Sequence, residues 1–373
     1  MLDQSTSMRG IDRDNPICPT LTIIVIADTP FIAGAIIDSL PNKLPYFLVG
    51  PRTIAFLRRS TSCLGYFAND LSLSEQNKAE FSKTIQGLNR VSPKIFLIPA
   101  DDSACRIVGA TIGRFGGNVY PMPDPATFET LNDKWQFYFR CRQLGVRVPK
   151  TIRFADKTLI DFEHVCTSIG LPFILKPTNK SYSLGVQLIN SKAELQKKVL
   201  SSLEYQFAPL IAQSFIPGLD IDISALADRG HIQNYAIQIR EKGALSFVQN
   251  EALFKLTEVI VRKHHYTGVI HIDARIHEKS GEVFLVEANP RFWASLASAT
   301  SAGLNFVRAG IFTSMGLENL EPITISNVSI PSTGKVLAEI LTFRRNYLRM
   351  QPIERLRLKR GMRSYFRSAL HLQ

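Results

Sequence analysis

The densest chemistry in the chain lies in one stretch, GVIHIDARIHEKSGEVFLVEANPRFW, from Gly268 to Trp293. Two apolar, β-branched runs flank Lys279-Ser280-Gly281, which is the pattern of a hairpin. Folded symmetrically about Ser280, the strands set Asp273 opposite Glu287, His271 opposite Asn289 and Arg275 opposite Leu285. Opposed side chains have Cβ atoms ~4.5–5.5 Å apart. Alternate residues share a face, so His271, Asp273 and Arg275 are joined there by Glu287, Asn289 and Arg291. Two carboxylates and a carboxamide on one face are a poor choice for a core, because burying unpaired charge costs several kcal/mol. They suit a magnesium ion well, since it takes oxygen ligands and shares them with phosphates. The planar fork of Arg291 matches phosphoryl oxygens. The plainer alternative is a half-exposed hairpin with a polar outer face. Against it, Val283 and Leu285 fill the alternate positions while the acidic face ends in Asn-Pro-Arg-Phe-Trp.

Elements must bring such a face to a substrate. LTIIVI (Leu21 to Ile26) reads as a strand, followed by Asp28-Thr29-Pro30 and an apolar helical stretch from Phe31 to Leu40. Tyr46 to Val49 and Lys94 to Ile98 read as further strands with helical segments between them, so residues 20–120 suggest a small open α/β domain with a parallel sheet. No G-x-G-x-x-G follows the first strand, which leaves a dinucleotide site unsupported. Asp101 and Asp102, at a strand end, read as a helix N-cap. PMPDP (Pro121 to Pro125) marks a boundary. Beyond it come one helix over Thr130 to Leu144, a second up to Gly170, strands at Phe173 to Lys176 and Gly185 to Asn190, and a helix from Ala193 to Glu204. Strands follow at Leu210 to Phe215, Asp220 to Ala227 and Gln233 to Arg240, and then a helix at Thr257 to Tyr266.

Composition sets the bounds. The chain has 373 residues, 45% hydrophobic and 20% charged, enough for two or three globular domains. It contains no run of about 18 apolar residues that would cross a bilayer. The first twenty residues are polar and read as a loose tail. Five scattered cysteines, none at metal-ligand spacing, fit a reducing cytoplasm with free thiols. The net charge is +12, but the segment after Phe343 holds nine Arg or Lys against one Glu and so supplies +8 of it. The basic character belongs to that tail, and the body of the chain gives no sign of nucleic-acid binding. The tail reads as a helix packed on the core with a solvated basic face. Peripheral contact with an anionic membrane is the alternative, and binding of a nucleic acid or another acidic polymer is a third.

The string EANPR at 287–291, with an acidic residue fourteen positions earlier at Asp273, resembles the E-x-N-P-R motif of the ATP-grasp superfamily. The span from Pro125 to about Gly310 follows the superfamily's order of motifs, and the branch it most resembles is carboxylate–amine ligase-like. The resemblance implies an α/β (α+β) ATP-grasp fold organised as a tail (1–20), a pre-ATP-grasp domain (21–122), an ATP-grasp domain (123–310) with a lid at about 150–212 and a metal-binding part at about 213–310, and a basic helical C-terminal segment (311–373). It further implies ATP and Mg2+ as cofactors, with Mn2+ as an alternative metal. Lys134 (in NDKWQF) and Lys176 (in PFILKP) match residues that touch phosphates. Ser181, Ser183 and Gly185 lie in the loop that closes over them. Gln213, Phe215 and Ile216 (in QSFIPG) fall in the adenine segment, and Asp220 is placed to reach the ribose. Asp273, Glu287 and Asn289 match the metal ligands, and Arg291 matches the arginine that steadies the transferred phosphoryl group.

Arg275 and Arg240 read as holders of the acceptor carboxylate or acyl phosphate, or as members of salt bridges with Glu287 and Glu241. His271 reads as a structural histidine or as a base for the attacking amine. Two positions depart from the family pattern. The phosphate loop KPTNKSYSLGV is poor in glycine, and Gln213 stands where Glu is common. The implied activity is a ligase that makes an acyl phosphate and passes it to an amine, with small-molecule carboxylate and amine partners and scope for a homodimer. The alternatives are an acid–thiol ligase, a carbamoyl-phosphate-type phosphotransfer, or a nucleotide-binding scaffold with little turnover.

Overall fold

The computed structural model describes residues 21–41, 44–92, 94–114, 118–241 and 244–331. It divides into two compact units. The first comprises residues 1–125, 291–297 and 305–320, and the second takes 126–290, 298–304 and 321–373.

The first unit is built on five strands, β1 (Thr22–Ile26), β2 (Tyr46–Gly50), β3 (Cys63–Ala68), β4 (Ile95–Pro99) and β5 (Asn118–Val119), interleaved with helices α1 (Pro30–Ser39), α2 (Glu75–Val91) and α3 (Asp102–Thr111). The sheet runs β3-β2-β1-β4-β5, and every pairing is parallel. β1, β2 and β4 are buried at every position, as strands covered on both faces must be. Pro30 opens α1. Asp101 caps α3, as its place at a strand end suggests, accepting from the Ala104 amide at 3.1 Å. β3 lies outside the strands the sequence suggests, because none of its residues is buried and it carries Gly65.

The second unit contains an antiparallel sheet and a larger one that is antiparallel apart from the parallel pairing of residues 324–325 with the strand at 231–241. Its elements are α4 (Pro125–Asn132), α5 (Lys134–Gln143), β6 (Thr151–Phe154), α6 (Phe162–Ile169), β7 (Phe173–Pro177), β8 (Gln187–Ile189), α7 (Lys192–Leu195), β9 (Leu210–Ser214), β10 (Gly218–Asp228), β11 (His231–Glu241), β12 (Ala244–Val248), α8 (Glu251–Lys263), β13 (Gly268–His277) and β14 (Val283–Asn289). The smaller sheet has the order β6-β9-β7-β8. Its core gathers Phe154, Val165, Phe173, Leu175 and Leu210. The larger sheet places β14-β13-β10-β11-β12 side by side. It buries Ile221, Ile223, Ile237, Ile270, Ile272 and Leu285 against α5 and α8.

Beyond β14 the chain forms α9 (Leu296–Ser301) and α10 (Phe306–Ser314), then β15 (Thr324–Ile325) and β16 (Val328–Pro331). α10 belongs to the first unit, where the Tyr120 hydroxyl donates to the Phe306 carbonyl at 2.6 Å.

Several expectations need correction. The single helix over 130–144 is two, because Asp133 is extended and its carboxylate caps Trp135 and Gln136. The helix expected to reach Glu204 ends at Leu200 after a π turn. Residues 315–331, read as part of a helical segment, hold β15 and β16 instead, which suits β-branched Thr324, Ile325, Val328 and Ile330 after Pro322. Residues 344–373, on which the basic-tail and membrane readings rest, lie outside the described residues. Among the described residues, no helix is long and apolar enough to cross a membrane. Cys63, Cys105, Cys141 and Cys166 are free thiols, with Cys105 and Cys141 buried.

Candidate active site

The hairpin of β13 and β14 pairs His271 with Asn289 and Asp273 with Glu287, the register that symmetry about Ser280 predicts. The register then shifts between Asp273 and Ala274, so Arg275 lies opposite Phe284 and not Leu285. One extra residue, Val286, is accommodated on β14 as a bulge, and bulges re-aim side chains beside functional sites.

Glu287 is the hub. Its Oε2 accepts from Lys176 Nζ at 3.1 Å and lies 3.7 Å from Lys134 Nζ. Both lysine side chains are nearly buried, at 5% and 8% exposure, whereas Glu287 keeps 23%. β7 delivers Lys176 and the first turn of α5 delivers Lys134, which places the Asp133 cap just before a site cation. Lys134 also fastens the loop: its amide donates to the Thr178 carbonyl at 2.9 Å and its Nζ to the Lys180 carbonyl at 2.6 Å. Beneath that loop the Thr178 side chain is 1% exposed, and its hydroxyl has no hydrogen-bond partner in the protein. A buried hydroxyl left so is costly and points to an absent acceptor or donor. Oxygen ligands, two ammonium groups and an unmet hydroxyl are the donor set that a metal-bound polyphosphate would satisfy.

Asp273 is held on both oxygens. Asn289 Nδ2 donates to Oδ2 at 3.1 Å, and His271 Nε2 lies 3.3 Å from Oδ1. Ser224 Oγ lies 2.9 Å from His271 Nδ1. Asp222, absent from the sequence reading, pairs with Asp273 across β10 and β13 and accepts from Gln238 Nε2 at 2.8 Å. Burial pushes its carboxyl above the ordinary range, with Asp273 adding to the rise, while His271, Gln238 and Arg240 oppose it. The alternation Asp220, Asp222, Ser224 among the apolar residues of GLDIDISAL was the available signal.

The remaining candidates fall as follows. Arg275 grips the β9–β10 connection. Its Nε donates to the Ile216 carbonyl at 2.6 Å and an Nη to the Gly218 carbonyl at 2.7 Å, while its other Nη pairs with Asp220. Its guanidinium also sits 5.0 Å from the centre of the Phe215 ring. Gln213 is buried on β9 and donates to Thr151 Oγ1 at 3.1 Å. Arg240 is exposed on β11. In the loop over 178–185, Tyr182, Ser183 and Gly185 adopt φ of 59°, 58° and 77°. The Gly185 carbonyl accepts from the Tyr205 hydroxyl at 2.7 Å. A Cβ on Gly185 would meet the Phe207 ring at 2.8 Å, so that glycine is required twice over. Arg291 belongs to the first unit, where it is 4% exposed, and its Nε donates to Asp102 Oδ1 at 3.2 Å.

An open parallel α/β unit, followed by a small antiparallel sheet and a larger one carrying an acidic hairpin, defines the ATP-grasp fold. The comparisons with known proteins agree. The family model "D-ala D-ala ligase C-terminus" matches residues 141–264, which stop short of the hairpin. Among characterised proteins, D-aspartate ligase of Enterococcus faecium is 25% identical over 223 residues, covering 51% of this chain and 51% of that enzyme. The chain thus spans about half the length of that relative. Among solved structures, N5-carboxyaminoimidazole synthetase from Staphylococcus aureus, complexed with ADP, aligns with a TM-score of 0.61 at 14% identity, covering 82% of this chain and 79% of that one. L-amino acid ligase from Bacillus licheniformis aligns with a TM-score of 0.58 at 17% identity, covering 80% and 75%.

Proposed function

We propose that the chain is an ATP-dependent carboxylate–amine ligase. The observation that carries the reading is the meeting of Asp273, Glu287 and Asn289 on one hairpin face with Lys176 and Lys134 against Glu287. Asp273, Glu287 and Asn289 would hold magnesium, which supplies charge neutralisation for the triphosphate. Lys134, Lys176 and the Thr178 hydroxyl would take phosphate oxygens, with the loop 178–185 folded over them. The segment Gln213–Ile216 would receive the adenine, and Asp220 lies toward the ribose. Arg275 then acts by fixing that segment through the Ile216 and Gly218 carbonyls. A substrate carboxylate oxygen attacks the γ-phosphorus and ADP departs. The amine attacks the resulting acyl carbon, its nitrogen releases a proton, and inorganic phosphate leaves. Phosphoryl transfer is mostly positioning and charge neutralisation, and this donor set supplies both. Arg291 and Arg240 remain proposed contacts to the transferred group and the acceptor.

The partners in this reading are a small-molecule carboxylate and an amine, and the relatives direct attention to amino acids. Homodimerisation and membrane contact through the basic tail are its further parts. A second reading, a nucleotide-binding scaffold, is favoured by the loop in which Tyr182 and Ser183 take positive φ where glycine would be unstrained.

Thermal unfolding decides first. A ligand bound only by the folded state raises the midpoint, so Mg-ATP is expected to raise it more than ATP without metal. Release of ADP across a panel of amino acids and other carboxylates decides second. Glu287→Gln and Asn289→Ala are expected to abolish it, and undiminished turnover in both would overturn the metal assignment. Nucleotide binding with no ADP release under any substrate would favour the scaffold.

A further inference from the structure

Asp222 and His271 form a second constellation beside the hairpin face. Strands β10 and β13 set Asp222 directly opposite Asp273, and Ser224 opposite His271. Two carboxylates opposed across a ladder repel one another, and such a pair calls for a cation between them. One ligand atom from each of Asp222, His271 and Asp273 lies within 4.8 Å of the other two. Each of the three is also held from behind. Gln238 Nε2 donates to Asp222, Asn289 Nδ2 donates to Asp273, and Ser224 Oγ lies 2.9 Å from His271 Nδ1. With Nδ1–H given to Ser224, the imidazole presents the Nε2 lone pair to the carboxylates. Outer partners that fix tautomer and orientation in this way are the mark of metal-ligating side chains.

We propose that Asp222, His271 and Asp273 form a binding site for a borderline divalent cation of the Zn2+ type, distinct from the magnesium face through its imidazole nitrogen. Zn2+ takes nitrogen and oxygen at ~2.0–2.2 Å in a tetrahedral array, so its ligand atoms stand ~3.3–3.6 Å apart. The three atoms, within 4.8 Å of one another, would draw together by up to ~1.5 Å on such an ion, a shift that side-chain rotation supplies. Imidazole suits zinc, cobalt and nickel, whereas magnesium keeps to oxygen. Three protein ligands leave a coordination position open for water or a substrate group. Asp273 is common to both faces, so an ion in the triad draws on a ligand that the nucleotide-bound metal would use.

The proposal does not depend on the ligase reading, and its test is separable from it. The full chain, free of nucleotide, is titrated with Zn2+ by calorimetry and with Co2+ by visible absorbance. One stoichiometric site with ligand-field bands in the visible is expected. Asp222→Asn and His271→Gln should abolish it, Ser224→Ala should weaken it by on the order of tenfold, and Glu287→Gln should leave it intact. Thermal unfolding of each variant reports that it folds. If no stoichiometric Zn2+ or Co2+ binds, the triad is an imidazole held between carboxylates and the proposal falls. If the variants bind as the parent does, the ion sits elsewhere and the proposal falls equally. Loss of ADP release in Glu287→Gln with Co2+ binding retained separates the two sites.

Discussion

Removing the charge of Glu287 tests the centre of the site without any ligand. Lys176 and Lys134 lie 3.1 and 3.7 Å from its Oε2. At an effective dielectric of about 20 those distances correspond to gross attractions of about 5 and about 4.5 kcal/mol. Desolvation of three charged groups offsets most of this. Glu287→Gln preserves the shape but removes the carboxylate beside two nearly buried ammonium groups, although Lys134 keeps its bond to the Lys180 carbonyl. A loss of ~3 kcal/mol in the stability of the second unit is expected. Lys176→Met should cost only ~1 kcal/mol, because Glu287 keeps Lys134 and partial exposure. In the double variant the two costs should fall short of additivity by ~1.5 kcal/mol. The chain's two tryptophans make the measurement clean: Trp135 lies in the second unit and Trp293 in the first. In a Trp293→Phe background, urea unfolding followed by fluorescence reports the second unit alone. If Glu287→Gln unfolds at the parent urea concentration, or if the coupling is below ~0.5 kcal/mol, Glu287 does not neutralise the lysines and the reasoning fails.

Other outcomes follow from particular contacts. Thr178→Val removes a hydroxyl with no protein partner, so stability should hold while ATP affinity falls about tenfold and adenosine affinity does not. Equal ATP affinity by calorimetry would end that assignment, and Thr178→Ser should restore the loss. In Gly310→Ala the new Cβ would fall 2.1 Å from Tyr120 Cζ. Such overpacking should destabilise the first unit by ~1–3 kcal/mol, read as a lower midpoint of the Trp293 transition. Asp101 accepts from the Asp28 and Thr29 amides at 2.7 Å each, yet burial raises its carboxyl above the ordinary 3.8. A folded pKa above the unfolded one gives stability that is full below 3.8 and is lost as pH rises through the folded value. Asp101→Asn, less stable through its weakened amide contacts, should therefore recover part of its deficit as pH rises from 3.8, and a pH-independent deficit would refute this.

What could be read from the sequence depended on how local its cause was. The parallel strands of the first unit announced themselves because burial on both faces demands continuous runs such as TIIVI and IFLIP. The pairing of Asp273 with Glu287 followed from hairpin symmetry alone, since period two and one turn centre fix the register. The same symmetry failed two residues further on, because a bulge is an extra residue and no composition marks Val286 as one. Asp222 stayed hidden for a longer-range reason. Its partner on β13, Asp273, lies 51 residues on (273 − 222), and only the sheet order makes them neighbours. Lys134 was placed by resemblance, but its hold on the loop through the Lys180 carbonyl depends on tertiary approach, which spacing does not encode.

The charges of the site are already paired within the chain, and this limits how ligands can enter. Lys176 and Lys134 cover the carboxylate that the proposed metal would need, while Lys134 also ties down the loop. A cation arriving alone at Glu287 would set its charge beside two nearly buried ammonium groups, although Lys134 keeps the Lys180 carbonyl. A polyphosphate arriving alone would draw the lysines away and leave Glu287 uncovered beside phosphate. Arriving together, the metal takes the carboxylate and the phosphates take the lysines, so every buried charge exchanges one partner for another. In the proposed reading the cost of opening the site would be shared between two ligands, and their binding would be mutually reinforcing. The loop strain at Tyr182 and Ser183 belongs to the same balance. Lys134 ties the Thr178 and Lys180 carbonyls and Tyr205 ties the Gly185 carbonyl, so a lysine that turned to phosphate would release one of several ties on that segment.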